Sequence, residues 1–222
     1  MTLESLESKE IPNRWWRVKG AGLGGELHVL RAILRGFLDH GQPPAPADLR
    51  GVADAAGLNL EAALCELVRH DMLVTDAASG AILGAYPFSG VPTAHQVAIT
   101  GLATVSAMCA VDALGIPFMV KRTATITSRD AATGDPLYIQ IEPSPERVAA
   151  DPPGIIVFAG STGSEGTAAA CRCPFINFFR SAEAAAIYQQ AHPELDGKVL
   201  SLDAAVTYGR RVFEDPDGLV IT

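Results

Sequence analysis

The spacing of apolar residues changes near Gly90, and this change limits the chain to folds that combine helices with a sheet. From Glu26 to Arg69 apolar residues mostly recur three and four positions apart, the spacing that places them on one helix face. Beyond Gly90 several short segments alternate apolar and polar residues, as strands do. We therefore predict an α+β fold, with a helical domain followed by a mixed-sheet domain.

Three helices and a hairpin are predicted in the first part of the chain. Gly41 ends the first helix, Gly57 ends the second, and Asn59 can cap the third. The predicted elements are helices 26–40, 49–56 and 60–68, then a hairpin formed by residues 72–74 and 81–83. This order is typical of a winged helix.

Winged helices often bind DNA, but the charges on the third helix argue against that function here. Glu61, Glu66 and Asp71 outnumber Arg69 and His70, so this surface repels phosphate. We predict a lead segment at residues 1–24, which packs Trp15 and Trp16 on the body. A winged-helix-like domain without DNA binding follows at residues 25–88, and a catalytic domain at residues 89–222.

The overall charge excludes several classes of partner. The net charge is −8, with no basic cluster for nucleic acid or anionic lipid. The acidic first ten residues lack the apolar core of a signal peptide, and no apolar run is long enough for a membrane span. These features predict a cytoplasmic protein with no nucleic-acid or membrane partner, whose four cysteines stay reduced.

The second part of the chain alternates predicted strands and helices. Leu102–Leu114 is predicted to be a helix of small residues, ended by Gly115 and Pro117. The turn at residues 131–136 joins two alternating segments into a hairpin. The predicted strands are 97–99, 122–128, 137–141, 154–158, 175–179 and 198–201, and the later helices are 181–191 and 204–213.

Cys109 and Asp112 lie three positions apart on the predicted helix 102–114, so they share a face. A nearby anion raises the pKa of a thiol, which does not suit an activated nucleophile. The pairing suits a site where the carboxyl group moves a proton while sulfur binds a soft atom. The alternative is a small buried cysteine beside a solvated aspartate.

Cys171 and Cys173 form a C-x-C pair, which suits a soft metal or a redox step. The pair lacks the further cysteines or histidines of a structural zinc site. The preceding Gly-rich run, residues 159–170, has no lysine of a phosphate-binding loop, which argues against nucleotide binding.

Two motifs resemble those of the bacterial organomercurial (alkylmercury) lyases. The first is the Cys-Ala-x-Asp core at Cys109, which is followed by Pro117 and the Ala-Ala-Thr-Gly turn at residues 131–134. The second is Cys-Pro-Phe-Ile-Asn-Phe-Phe, in which the family spacing from the Phe-Phe pair selects Cys173 and not Cys171. The resemblance covers most of residues 25–215, and the helical part resembles a family region that has lost DNA binding.

The resemblance implies an alkylmercury-lyase-type catalytic domain that breaks a carbon–mercury bond by protonation. Cys109, Cys173 and Asp112 match the essential residues, and both cysteines would bind the mercury product transiently. No cofactor is implied. Small thiols, or a mercuric reductase, would accept the Hg(II).

The sequence departs from the family pattern at three places. Met108 stands where an aromatic residue is common, Asp130 replaces an additional cysteine, and Pro174-Phe175 replaces a Cys-His pair. Met108 and Phe175 are therefore candidates for reshaping the substrate pocket. Two alternative functions are a thiol-based sensor or carrier of soft metals and a divergent enzyme of the same fold with another substrate.

Overall fold

A computed structural model describes residues 13–221, without the side chains of Trp16, Arg17 and Lys19. Eight α-helices and one 3-10 turn lie in this range. The helices are α1 (Arg14–Gly20), α2 (Glu26–His40), α3 (Pro46–Ala55), α4 (Leu60–Arg69), α5 (Ala110–Val120), α6 (Ala168–Cys171), α7 (Ala182–Ala191) and α8 (Leu202–Phe213), and the 3-10 turn is Cys173–Phe175.

The strands of residues 13–221 form two sheets. The strands are β1 (Leu73–Thr75), β2 (Ile82–Ala85), β3 (Phe88–Ser89), β4 (Gln96–Ile99), β5 (Thr104–Ala107), β6 (Ala124–Arg129), β7 (Pro136–Pro143), β8 (Glu146–Asp151), β9 (Ile156–Ser161), β10 (Ile176–Phe179) and β11 (Asp196–Ser201). The eight-stranded sheet has the order β1-β2-β3-β5-β4-β6-β7-β8, and the three-stranded sheet has the order β10-β9-β11.

The α+β class is confirmed, but the expected mixed sheet is wrong. Every strand pair described within residues 13–221 is antiparallel. The predicted hairpin around residues 131–136 is present, with Arg129 paired to Pro136. The sequence reading missed β8, because this edge strand pairs only with β7 and is mostly exposed. No helix of residues 13–221 meets the length and hydropathy that a membrane crossing requires.

The local signals in the helical part of the chain have the predicted effects. Gly41 follows α2 with a φ of 74°, the left-handed conformation that glycine adopts most easily. The side chain of Asn59 accepts a hydrogen bond from the Ala62 amide and caps α4. The hairpin β1–β2 pairs with β3, and β3 pairs with β5. One sheet therefore extends across residue 88, where the winged-helix-like domain was predicted to end. The predicted division into domains stays a prediction.

Of the lead segment, residues 1–12 lie outside the described residues. Trp15 is buried, and its indole Nε1 donates a hydrogen bond to the carbonyl of Phe213 at 2.8 Å. Its ring also meets the Phe213 ring edge-on. Trp15 thus packs α1 against α8. The side chain of Trp16 is not among those that the structure describes, so its predicted packing stays a prediction.

The predicted helix Leu102–Leu114 is wrong. Thr104–Ala107 is instead the strand β5, which pairs with β3 and β4, and the helix α5 begins only at Ala110. Small residues in this segment suit close strand pairing as well as a helix, so local composition did not separate the two. Gly115 and Pro117 also lie inside α5 and do not end it.

Glycine is required within α5 because α8 crosses it very closely. A Cβ on Gly115 would lie 2.8 Å from the Gly209 carbonyl, and a Cβ on Gly209 would lie 2.8 Å from the Val111 carbonyl. Every residue of α5 is buried. Helix α5, which carries the candidate site, therefore lies inside the protein, where it packs against α8 and against strands of both sheets.

Candidate active site

Cys109 and Asp112 lie at the start of α5. Cys109 is the N-cap residue, in an extended conformation, and its Sγ accepts a hydrogen bond from the Asp112 amide at 3.4 Å. The two residues were predicted to lie one turn apart within a helix. They are close for another reason, because a capping side chain folds over the first turn and approaches the third helical residue.

Cys173 reaches the same place from a distant part of the chain. It begins the 3-10 turn that leads into β10, and its Sγ donates to Oδ2 of Asp112 at 3.8 Å. Both sulfurs and a carboxylate oxygen lie within 4.8 Å of one another, and all three residues are buried. We call these three residues, Cys109, Asp112 and Cys173, the buried cluster.

Burial controls the protonation of the buried cluster. It raises the pKa of Asp112 to about 6, although the Cys109 side chain and the charge of Arg14 act in the opposite direction. Burial also raises the pKa of Cys109, and its two neighbours in the cluster add to that effect. At neutral pH the cluster therefore holds a protonated Cys109 thiol beside a carboxylate that can accept a proton.

A cavity of about 370 Å³ gives access to the buried cluster. Cys173 is the cluster residue that lines it. The surrounding wall is mostly apolar, with a few polar side chains, and includes Val74, Leu83, His95, Met108 and Asn177. A small molecule in this cavity would meet the sulfur of Cys173 first, with Cys109 and Asp112 behind it.

The other two cysteines lie apart from the buried cluster. Cys65 is exposed on α4. Cys171 is buried at the end of α6, where Ser164 Oγ donates to its Sγ at 3.4 Å and its thiol faces the Glu165 carbonyl at 3.7 Å. The C-x-C pair thus directs its two sulfurs to different surroundings.

The three departures from the family pattern have different positions. Met108 lines the cavity, and its Cε rests against Gly84, where an added Cβ would lie 2.3 Å away. Asp130 is buried and accepts hydrogen bonds from the backbone amides of Ala132, Thr133 and Arg180, so it joins the β6–β7 turn to the end of β10. Phe175 packs in a second apolar cluster and does not line the cavity.

Sequence reasoning missed Arg14, whose charge acts on the buried cluster, and Tyr86 and Tyr208, on whose pKa values the charges of the cluster act. The Arg14 guanidinium lies 3.8 Å from the centre of the Tyr86 ring and donates to the carbonyl of Asp71. The charge of Arg14 lowers the pKa of Asp112, and burial followed by the Cys109 charge raises the pKa of Tyr208. No spacing rule connects positions so far apart in the chain.

The raised pKa of Asp112 gives a first prediction, on stability. Between the ordinary value of 3.8 and about 6, the folded protein keeps a proton that the unfolded chain has released. The free energy of unfolding therefore falls as pH rises through this window, and Asp112→Asn should remove that dependence. Between pH 3.5 and 7.5 the free energy of unfolding of the parent should fall by up to about 3 kcal/mol more than that of the variant. This figure corresponds to a shift of about two pKa units at 1.36 kcal/mol each.

Urea unfolding of both proteins at the two pH values measures this difference. Any constant cost of the asparagine cancels, because it is the same at both values. Asp48→Asn, at an exposed position, is the control and should track the parent. Parallel pH dependence in parent and Asp112→Asn would contradict the raised pKa.

The chain is similar to known proteins over the part that carries the buried cluster. A family model described as alkylmercury lyase matches residues 88–214. An alkylmercury lyase of Bacillus cereus is 31% identical over 120 residues, 54% of this chain and 53% of the relative. One from Staphylococcus epidermidis is 31% identical over 134 residues, 60% of this chain and 59% of the relative.

The fold is also similar to a solved structure. The crystal structure of the mercury-bound form of MerB2 matches with a TM-score of 0.71 and 24% identity, over 90% of this chain and 96% of that one. The matched part spans just over half the length of the curated relatives. Because the family model covers more than half of the chain, including every residue of the buried cluster, this protein belongs to the alkylmercury lyase family.

Proposed function

We propose that this protein is an organomercurial lyase, which cleaves a carbon–mercury bond by protonolysis to give a hydrocarbon and Hg(II). The observation that carries the proposal is the buried cluster, where two thiols and one carboxyl group lie within 4.8 Å of one another. Mercury is a soft metal and prefers sulfur ligands. The names of the curated relatives, all alkylmercury lyases, support the same activity.

In the first step the substrate R–Hg–X exchanges X for cysteine sulfur. Cys173, which lines the cavity, passes its thiol proton to Asp112 and attacks mercury as a thiolate. Cys109 then binds the same mercury atom, and its proton departs with X. The hydrogen-bond geometry supports this transfer, since the Cys173 thiol already donates to the Asp112 carboxylate.

In the second step Asp112 returns the proton to carbon. Two sulfur ligands push electron density onto mercury and weaken the Hg–C bond, so the carbon takes on carbanion character. Asp112 protonates that carbon as a general acid, and the bonding pair becomes the new C–H bond. The pKa of about 6 suits a group that accepts and then donates a proton near neutral pH.

The product Hg(II) stays bound to Cys109 and Cys173 until another thiol removes it. We propose that small thiols, or a mercuric reductase, take the metal, and that the reaction requires no organic cofactor. A cytoplasmic location fits this chemistry, because the cysteines must stay reduced. All four are free thiols in the structure.

One experiment tests the function directly. Purified protein is incubated with an alkyl- or arylmercurial and excess small thiol, and the free hydrocarbon is measured. Catalytic release of hydrocarbon supports the lyase. Mercury binding without hydrocarbon would contradict it and favour the soft-metal sensor or carrier.

We also propose that the helical part of the chain is winged-helix-like and does not bind specific DNA. Helices α2, α3 and α4 and the hairpin β1–β2 follow one another in the expected order. A gel-shift assay or a genomic selection at physiological salt should recover no defined sequence. Recovery of one would overturn this prediction and promote the sensor.

A further inference from the structure

The two cysteines of the buried cluster are joined to different sheets. Cys109 lies two residues after the end of β5, which belongs to the eight-stranded sheet. Cys173 begins the 3-10 turn that leads into β10 of the three-stranded sheet. The separation of the two sulfurs therefore depends on how the sheets are joined beside the site. His95 and Asn177 line the cavity at this place, and the proposed chemistry does not use them.

His95 is held by the sheet that leads to Cys109. Its backbone carbonyl accepts a hydrogen bond at 2.9 Å from the amide of Ala107, two residues before Cys109. Its side chain is buried, and the ring Nδ1 lies 2.8 Å from Oγ of Ser128, a buried residue of β6. The eight-stranded sheet therefore fixes both the backbone and the ring of His95.

His95 also forms a hydrogen bond with the side chain of Asn177. Burial lowers the pKa of His95 to about 4, so the ring is neutral and carries one N–H group. The bond to Asn177 acts in the opposite direction on this pKa, as a bond does in which the ring is the donor. Because Nδ1 faces Ser128, the donor to Asn177 is Nε2. The Ser128 hydroxyl then donates to Nδ1, and the amide oxygen of Asn177 accepts from Nε2.

Asn177 continues this chain of hydrogen bonds to the turn that carries Cys173. Its Nδ2 donates at 3.0 Å to the carbonyl of Pro174, the central residue of the 3-10 turn. Because the amide accepts from His95 and donates to Pro174, neither bond would survive a flip of its oxygen and nitrogen. The turn is therefore tied through Asn177 to His95, and through His95 to the strand before Cys109.

We propose that His95 and Asn177 are positioning residues, which together fix the separation of the Cys109 and Cys173 sulfurs. The proposal rests on the proposed lyase function and adds to it the residues that align its two thiols. Neither residue belongs to the buried cluster, so each acts through the turn and not on mercury. A misplacement of about 1 Å can lower a rate a hundredfold. Breaking the chain should leave both thiols present but loosen the turn of Cys173.

Two substitutions of His95 separate the bond to Asn177 from the rest of the ring. Glutamine places its amide nitrogen near the former Nε2 and can still donate to Asn177, whereas asparagine reaches only the former Nδ1 position. His95→Asn and Asn177→Leu should therefore lower single-turnover hydrocarbon release at least about tenfold. His95→Gln should rescue the rate to within about threefold of the parent, the lower end of what one net hydrogen bond contributes.

Gln96→Leu is the matched control for these variants. Gln96 follows His95 in the chain and does not line the cavity. Its amide donates to the Thr93 carbonyl at 3.0 Å and to Ser106 Oγ at 2.9 Å, so leucine removes two nearby hydrogen bonds that lie outside the chain to Asn177. Folded Gln96→Leu should release hydrocarbon at a rate close to that of the parent.

Binding of Hg(II) provides a second readout that does not require turnover. In a Cys65→Ser/Cys171→Ser background the two cluster cysteines are the only thiols that remain of the four in the chain. Competition with dithiothreitol for Hg(II) then measures how well both sulfurs close on one atom. His95→Asn and Asn177→Leu should lower the apparent affinity at least about fivefold, the scale of one neutral hydrogen bond. His95→Gln should restore it.

The outcomes separate this proposal from the lyase function. Parent-like release and Hg(II) affinity in folded His95→Asn would overturn the positioning role, and this comparison holds even if Asn177→Leu fails to fold. Equal losses in His95→Gln and His95→Asn would also overturn it, because the loss would follow the ring and not the bond to Asn177. No hydrocarbon from the parent, beside the expected differences in Hg(II) affinity, would overturn the lyase function and support the positioning of the two sulfurs.

Discussion

Asp112→Asn should hold the organomercurial on the protein while hydrocarbon release falls at least about a hundredfold, the lower end of what general acid–base catalysis contributes. Asparagine keeps the size of the side chain but cannot accept the Cys173 proton and pass it to carbon. Both sulfurs remain within reach of one atom. The variant therefore separates binding of mercury from cleavage of its carbon bond.

Two measurements check this prediction. Mass spectrometry should detect the intact R–Hg adduct on the variant, and single-turnover kinetics should report the chemical step without interference from slow Hg(II) release. Asp215→Asn is the matched control. Asp215 is also buried, but its carboxylate accepts hydrogen bonds from the amides of residues 219–221 and, among residues 13–221, is not part of the buried cluster. Folded Asp215→Asn should release hydrocarbon at a rate close to that of the parent.

If Asp112→Asn released hydrocarbon at the parent rate, water or a thiol would be the proton source. The mechanism proposed here would then have to be abandoned. Loss of adduct formation as well as release would instead show that Asp112 is needed to deprotonate the thiols. Its role as donor to carbon would then need a separate test.

Cys109→Ser and Cys173→Ser should each lower turnover to the background rate. A serine oxygen is hard and weakly acidic, so it cannot replace a thiolate on a soft metal. One remaining sulfur can still bind the substrate, but it cannot weaken the Hg–C bond as two sulfurs do. Each single variant should therefore retain some mercury binding without producing hydrocarbon.

Cys171→Ser and Cys65→Ser are the controls and should retain most of the activity. Cys171→Ser is the more stringent control, because Cys171 lies two positions from Cys173 and is also buried. Its sulfur contacts Ser164 and Glu165 and not the buried cluster. An inactive Cys171→Ser beside an active Cys173→Ser would mean that the cysteine of this loop has been assigned wrongly.

Elements with local signals could be predicted from the sequence, and those that depend on distant contacts could not. Helix α2 has a clear apolar face and a terminal glycine, and its observed limits match the prediction. The segment before Cys109 has only small residues, and its strand character comes from pairing with β3 and β4. The predicted helix there was wrong because neighbours, and not local preference, decide its conformation.

The candidate site shows the same division. Cys109 and Asp112 were correctly expected to be close, since three positions separate them. Cys173 was placed beside them only through the family resemblance, because no spacing rule reaches across the intervening strands. Arg14 and the cavity wall gave no sequence signal, as their positions depend on how α1 and the loop after β3 pack.

The close crossing of α5 and α8 makes the site sensitive to residues that never meet a substrate. Gly115 and Gly209 have no room for a methyl group, so any larger residue at either position must push the two helices apart. Cys109 and Asp112 would move with α5, whereas Cys173, held by the separate turn before β10, would not follow. In a random-mutagenesis screen for lost activity, these two glycines should therefore emerge beside the cysteines, although neither lines the cavity or belongs to the buried cluster.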